Sequence, residues 1–204
     1  MRTVFLLILG ILFFWSEPYF AQNENDEEEL TAENHIARLK NGKLLVRLKT
    51  MQNTVLMLEA RGLQEDADEI WENQIKENRA IAKAFELFFD FCPVYFFYDE
   101  NSEAVKSGDY EDYILNYDLD TIVAELLPAF NYVYFADFGE VHFKHFNQHM
   151  QGAVILDQFM MMLPGKFPSI VRKRAGVSII KRTNADLVQE MNEKLHKFYS
   201  RHAD

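Results

Sequence analysis

The chain has 204 residues, 49% of them apolar, 26% charged and 14% aromatic, with 8 Gly and 5 Pro, a balance that excludes a disordered, collagenous or low-complexity polymer. Its single cysteine, Cys92, excludes a disulfide scaffold, a cysteine-rich zinc module and a CxxC redox pair, each of which needs a second thiol. A net charge of -11 opposes the field that general phosphate-backbone binding requires, so nucleic acid is not an expected partner.

In chain order, one positive charge at Arg2 is followed by the apolar run Val4 to Trp15, the polar stretch Ser16, Glu17 and Pro18, and then Ala21 before an abruptly polar chain. This is the anatomy of an export signal. As a helix the run of about 12 residues rises only about 18 Å against a hydrocarbon core of roughly 30 Å, so a cleaved leader fits better than an anchor. Residues 1–21 are therefore read as a signal peptide, cut after Ala21 although Tyr19 stands where a small residue is preferred. The mature protein is expected to be periplasmic or extracellular, with no transmembrane segment after cleavage. Its first stretch, Gln22 to Glu29, is acidic and has nothing to bury, which makes 22–34 a solvated tether and 35–204 a single domain.

Asn41-Gly42 marks a turn, after which Leu44, Val46 and Leu48 alternate with Lys43, Leu45 and Arg47, a strand signal. Thr50 is placed to cap a short helix over about 51–61, stopped by Gly62. From Glu65 to Phe89 the residues Ala67, Ile70, Trp71, Ile75, Ile81, Ala82, Phe85, Phe88 and Phe89 recur mostly three or four apart, which predicts a long amphipathic helix. Pro93 cannot continue it, and Val94 to Tyr98 is the β-branched and aromatic run of a central strand. Residues 99–131 carry weak signals, among them a short helix over Ser102 to Lys106 and an apolar piece from Ile122 to Leu127. Tyr132 to Phe138 and Ala153 to Phe159 read as buried strands, Ile170 to Arg172 and Val177 to Ile180 as edge pieces. A Thr183-Asn184 cap opens a closing helix with Leu187, Val188, Met191, Leu195, Phe198 and Tyr199 on one face.

These elements predict an α/β or α+β domain, a mixed sheet of about four to five strands flanked by helices. Its core is expected to bring together Phe85, Phe88, Val94, Phe96, Phe135, Ile155, Leu195 and Phe198. The segment Phe91-Cys92-Pro93-Val94-Tyr95-Phe96 after a charged helix resembles an uncharacterised family of small exported α/β proteins, a resemblance that spans Lys43 to Tyr199 and implies no activity. A thioredoxin-like reading fails on chemistry because Cys92 has no second thiol, leaving only a redox-inactive relative of that fold. Apolar flanks mark Cys92 as a buried, inert thiol.

Two constellations stand out. His142, His145 and His149 fall within eight residues, near Met150 and Met160 to Met162, and on a helix these spacings would put three imidazoles on one face, a donor set suited to copper or zinc. Against that, the stretch has no carboxylate or thiolate, and core packing accounts for the methionines. Between Gln158 and Ala185 lie Lys166, Arg172, Lys173, Arg174, Lys181 and Arg182 and no acid. Such segregation can build a face for an anionic small ligand or an acidic protein partner, although Lys and Arg also serve to block a strand edge. Asp109, Asp112, Asp118 and Asp120 lack the EF-hand spacing, and no phosphate loop, nucleophile elbow or HExxH is present.

The expected function is thus an exported, non-enzymatic binding or interaction module using the basic C-terminal face. A periplasmic copper or zinc binder using the histidines is the alternative, and a hydrolase acting outside the cytoplasm a second one, which would need a carboxylate and a histidine in one cleft.

Overall fold

A computed structural model describes residues 30–123, 129, 131–143, 148–173 and 182–202. The signal segment, Arg174, Val177 to Ile180, Lys181, His145 and the piece 124–127 lie outside the described residues.

Chain order is α1 (Ala32–Lys40), β1 (Lys43–Leu48), α2 (Gln52–Ala60), α3 (Gln64–Phe88), β2 (Val94–Tyr98), a 3-10 turn (Asp99–Asn101), α4 (Ser102–Lys106), β3 (Val133–Phe143), β4 (Gln148–Leu156), β5 (Ile170–Arg172) and α5 (Asn184–His202). The strands form one five-stranded mixed sheet in the order β2-β1-β3-β4-β5. β1 runs parallel to both β2 and β3, with Val46 opposite Phe96 on one side and Ala136 on the other, while β4 is antiparallel to β3 and to β5. An α/β fold with a mixed sheet is what the alternation of short apolar runs and amphipathic helices predicts.

The pleat divides the core in two. On one face Leu44, Val46, Leu48, Phe96, Ala136 and Ile155 meet Ile36 and Leu39 of α1, Ile81 and Phe85 of α3, and Leu187, Met191 and Leu195 of α5. On the other, Leu45, Phe97, Phe135 and Val154 are covered by Val105 of α4 and Ile114. Phe135 therefore does not share a core with Phe96, although the sequence pattern predicts that they pack together. Phe198 is only partly buried, and Phe88 stays 39% exposed on the outer side of the last turn of α3.

Other elements differ from expectation for identifiable reasons. β2 is an edge strand, not a central one. Its aromatic run is buried because the segment beyond it pairs with Phe96, whose N–H donates to the Leu115 carbonyl at 3.0 Å and whose carbonyl accepts from Leu115 N–H at 2.8 Å. α1 begins at Ala32, so 32–34, read as tether, are helical. Thr31 caps α1 by accepting from Asn34 N–H at 3.3 Å, and Ala32, Ile36 and Leu39 are buried. Thr50 does not cap α2. The helix follows Met51 in the left-handed region (φ 56°) with no side-chain cap, because Thr50 is held elsewhere, as described below. Gly62, at φ 75°, ends α2 as the pattern predicted. α5 has the predicted cap: Thr183 Oγ1 accepts from Asp186 N–H at 3.2 Å and the Asp186 carboxylate accepts from Thr183 N–H at 2.8 Å.

A candidate ligand cleft at the ends of β1 and β2

Where β1 and β2 end, Leu48 lies opposite Tyr98 and both chains turn away from the sheet. Thr50 ties the two exits together, its backbone N–H and Oγ1 donating to Asp99 Oδ1 at 3.0 and 2.8 Å. From α3, Asn78 donates through Nδ2 to the Lys49 carbonyl at 2.8 Å, and its own Oδ1 accepts from Gln74 Nε2 at 2.9 Å. These bonds fix the backbone that leaves β1. On the far side, Asn116 Oδ1 accepts from the backbone N–H groups of Asp118 and Asp120 at 2.8 and 3.0 Å, an Asx-type turn with Leu119 at φ 65°.

Between these walls opens a cleft of about 540 Å³. Ligands of open α/β sheets bind outside the carboxyl ends of the parallel strands, because there the loops diverge and leave a crevice. Here the crevice is polar on two sides. Arg79 supplies positive charge, Glu100, Asp118 and Asp120 negative charge, and Trp71, Ile75 and Tyr98 apolar and aromatic wall, while Lys49 lines the cleft with its Nζ lying beside Gly139 of β3. Burial, together with the Glu100 carboxylate, raises the Tyr98 phenol above its ordinary value, while Arg79 works the other way. The stripe on α3 explains the wall. Its later members, Ile81, Ala82 and Phe85, enter the core, whereas Trp71 stays 46% exposed and faces the cleft.

The residues singled out from sequence are placed as follows. Arg172 ends β5 and is exposed, and Lys173 follows it. Arg182 returns alongside them, its N–H donating to the Lys173 carbonyl and its Nη1 to the Arg172 carbonyl, both at 3.1 Å. Arg182 also pairs with Glu190. Lys194 pairs with Glu190 at 2.9 Å and donates to the Ile170 carbonyl at 3.1 Å. Four basic residues thus gather at the outer sheet edge, where Arg182 and Lys194 occupy the β5 carbonyls in the manner of an edge block. Lys166 stands apart, close enough to Glu33 to help lower its carboxyl below the usual range after the Glu33 backbone and Thr31 hydrogen bonds.

His142 and His149 are not on a helix. They are directly opposed register partners in the β3–β4 ladder. Among the described residues no group of three or more His, Cys, Asp or Glu side chains could hold a metal ion. Met160 and Met162 pack against the second core while Met161 is exposed. Cys92 is buried and its thiol is pushed up to about 12, chiefly by burial. No described helix is long and apolar enough to cross a membrane.

The cleft residues were not picked out from sequence as a site, because Lys49 and Glu100 are ordinary polar residues until two strand ends lie side by side. The usable signal was Trp71, a large aromatic in the most charged part of α3. Compared with family models, curated proteins and solved structures, the chain matches none of them.

Proposed function

We propose that the protein is an exported, non-enzymatic binding module that takes a small organic ligand in the cleft at the ends of β1 and β2. One observation carries this reading. Among the described residues Arg79, Glu100, Asp118 and Asp120 make no ion pair, although all four line one cavity. Unspent charge beside an aromatic wall is what a recognition site needs. The cleft's described lining has no His, Cys or Ser, and the Thr50 hydroxyl is committed to Asp99, so these side chains offer neither an imidazole nor a base-activated Ser or Cys nucleophile. A fragment-library screen by protein-observed NMR tests the reading. Hits should perturb Lys49, Asn78, Tyr98 and the Trp71 indole, and hits that leave all of these unmoved overturn it. N-terminal sequencing of protein from an exporting host tests export, with Gln22 the expected first residue and an intact Met1 the refuting one.

A second reading rests on the register that sets His142 opposite His149. Direct opposition in an antiparallel ladder puts both residues on one face of the sheet, and imidazole is a common ligand of copper and zinc. Titration of chelator-treated protein with Cu(II) and Zn(II) decides it. Micromolar affinity that is lost in both His142→Ala and His149→Ala supports the reading, and affinity unchanged by either substitution removes it.

A further inference from the structure

Resting on the cleft reading above, we infer that the ligand is a small zwitterion of the amino-acid or dipeptide class with an apolar or aromatic side group. The cleft carries both signs of charge from different walls: Arg79 projects from α3, whereas Glu100 follows β2 and Asp118 and Asp120 sit on the 116–120 turn. A purely anionic ligand would meet three carboxylates, and a purely cationic one the Arg79 guanidinium. Like charges brought together repel, which selects against both.

A ligand with one carboxylate and one ammonium meets an opposite charge at each end. Arg79 offers the planar fork that matches a carboxylate, and the aspartates offer acceptor oxygens to an ammonium. Trp71 then supplies the third contact. An indole left 46% exposed gains by covering its face with an apolar group or by stacking on an aromatic ring. Size agrees as well. A cavity of about 540 Å³ lies inside the range of roughly 300 to 1,000 Å³ usual for small-molecule sites. The excess of carboxylates over cations selects against phosphorylated ligands.

The test uses the full chain carrying Trp15→Phe, which leaves Trp71 as the single tryptophan. The probes are L-phenylalanylglycine, its N-acetyl form and its C-terminal amide, each titrated while the Trp71 indole resonance and fluorescence are followed. The dipeptide should bind and each blocked form should bind at least tenfold more weakly. Arg79→Gln should abolish discrimination against the amide and keep it against the acetyl form, and Asp118→Asn with Asp120→Asn should do the reverse. Arg79→Met repeats the first arm should Arg79→Gln fail to fold. Equal binding of all three probes overturns the zwitterion class. Binding by none of them, while screen fragments still move Trp71, also overturns it and leaves the cleft reading standing. If nothing moves Trp71, both fall.

Discussion

Asn78 is 4% exposed and donates to the Lys49 carbonyl at 2.8 Å, which makes one amide on α3 the fastener of the backbone leaving β1. A part-buried carbonyl left without its partner carries part of the desolvation penalty of that group. Asn78→Ala should therefore cost about 1 to 3 kcal/mol in urea unfolding and should weaken any cleft ligand as well, since Lys49 loses its anchored backbone. Asn78→Ala with a midpoint equal to that of the parent protein would show that the bond contributes nothing.

A pair of phenylalanines separates the two roles of aromatic residues near β2. Phe96 is wholly buried on an edge strand, flanked by Phe85 at 6.0 Å and Tyr117 at 5.6 Å between ring centroids, whereas Phe88 is 39% exposed. Phe96→Ala should cost about 3 to 5 kcal/mol through lost burial and a residual cavity. Phe88→Ala should cost less than about 1 kcal/mol. Chemical denaturation of both variants checks the ordering, and equal losses would contradict the placement of β2.

The same comparison shows what the sequence carried. Alternation in Lys43–Leu48 and the aromatic run Val94–Tyr98 define strands to the residue, because a two-residue period is a local property. That Val94–Tyr98 lies at an edge is not local. It depends on Leu115 pairing with Phe96 from a segment with almost no periodicity. α1 was hidden by its acidic approach, and only its cap and the pair Ile36 and Leu39 mark it. His142 and His149 illustrate the limit from the other side. Their spacing suits a helix, and the hairpin that opposes them becomes visible only when β3 and β4 are paired beyond the short apolar runs that announced them. The cleft was illegible for a related reason, since its lining residues come from four separate stretches of chain that only the sheet order assembles.

Between α1 and the sheet, His35 Nδ1 and the Tyr134 hydroxyl share a buried hydrogen bond of 2.9 Å. Burial is the main cause that lowers the His35 pKa from 6.5, with Arg38 adding to it and Asp157 opposing. The unfolded chain therefore binds a proton on His35 more readily than the folded one. Its stabilising contribution is held above the unfolded value of about 6.5 and is lost as pH falls from there through the lower folded value. Urea midpoints measured at pH 7.5 and pH 5 should drop more in the parent protein than in His35→Gln. An equal drop in both would assign the acid sensitivity to other groups.

The last prediction concerns the basic edge. Arg182 and Lys194 occupy the Arg172 and Ile170 carbonyls of β5 and are held together by Glu190. Partly exposed pairs of this kind contribute only about 0 to 1 kcal/mol, so their value is not chiefly in stability. An outer strand with free carbonyls is a template for another chain, and two cationic side chains lying across it deny that template. Arg182→Ala with Lys194→Ala should shift the unfolding midpoint little and raise self-association, seen as a concentration-dependent rise in scattering mass at neutral pH. If Arg172 and Lys173 instead serve an acidic partner, the double variant should stay monomeric and charge reversal at Arg172 should be silent in scattering. A variant that is both monomeric and as stable as its parent would remove the edge-blocking role.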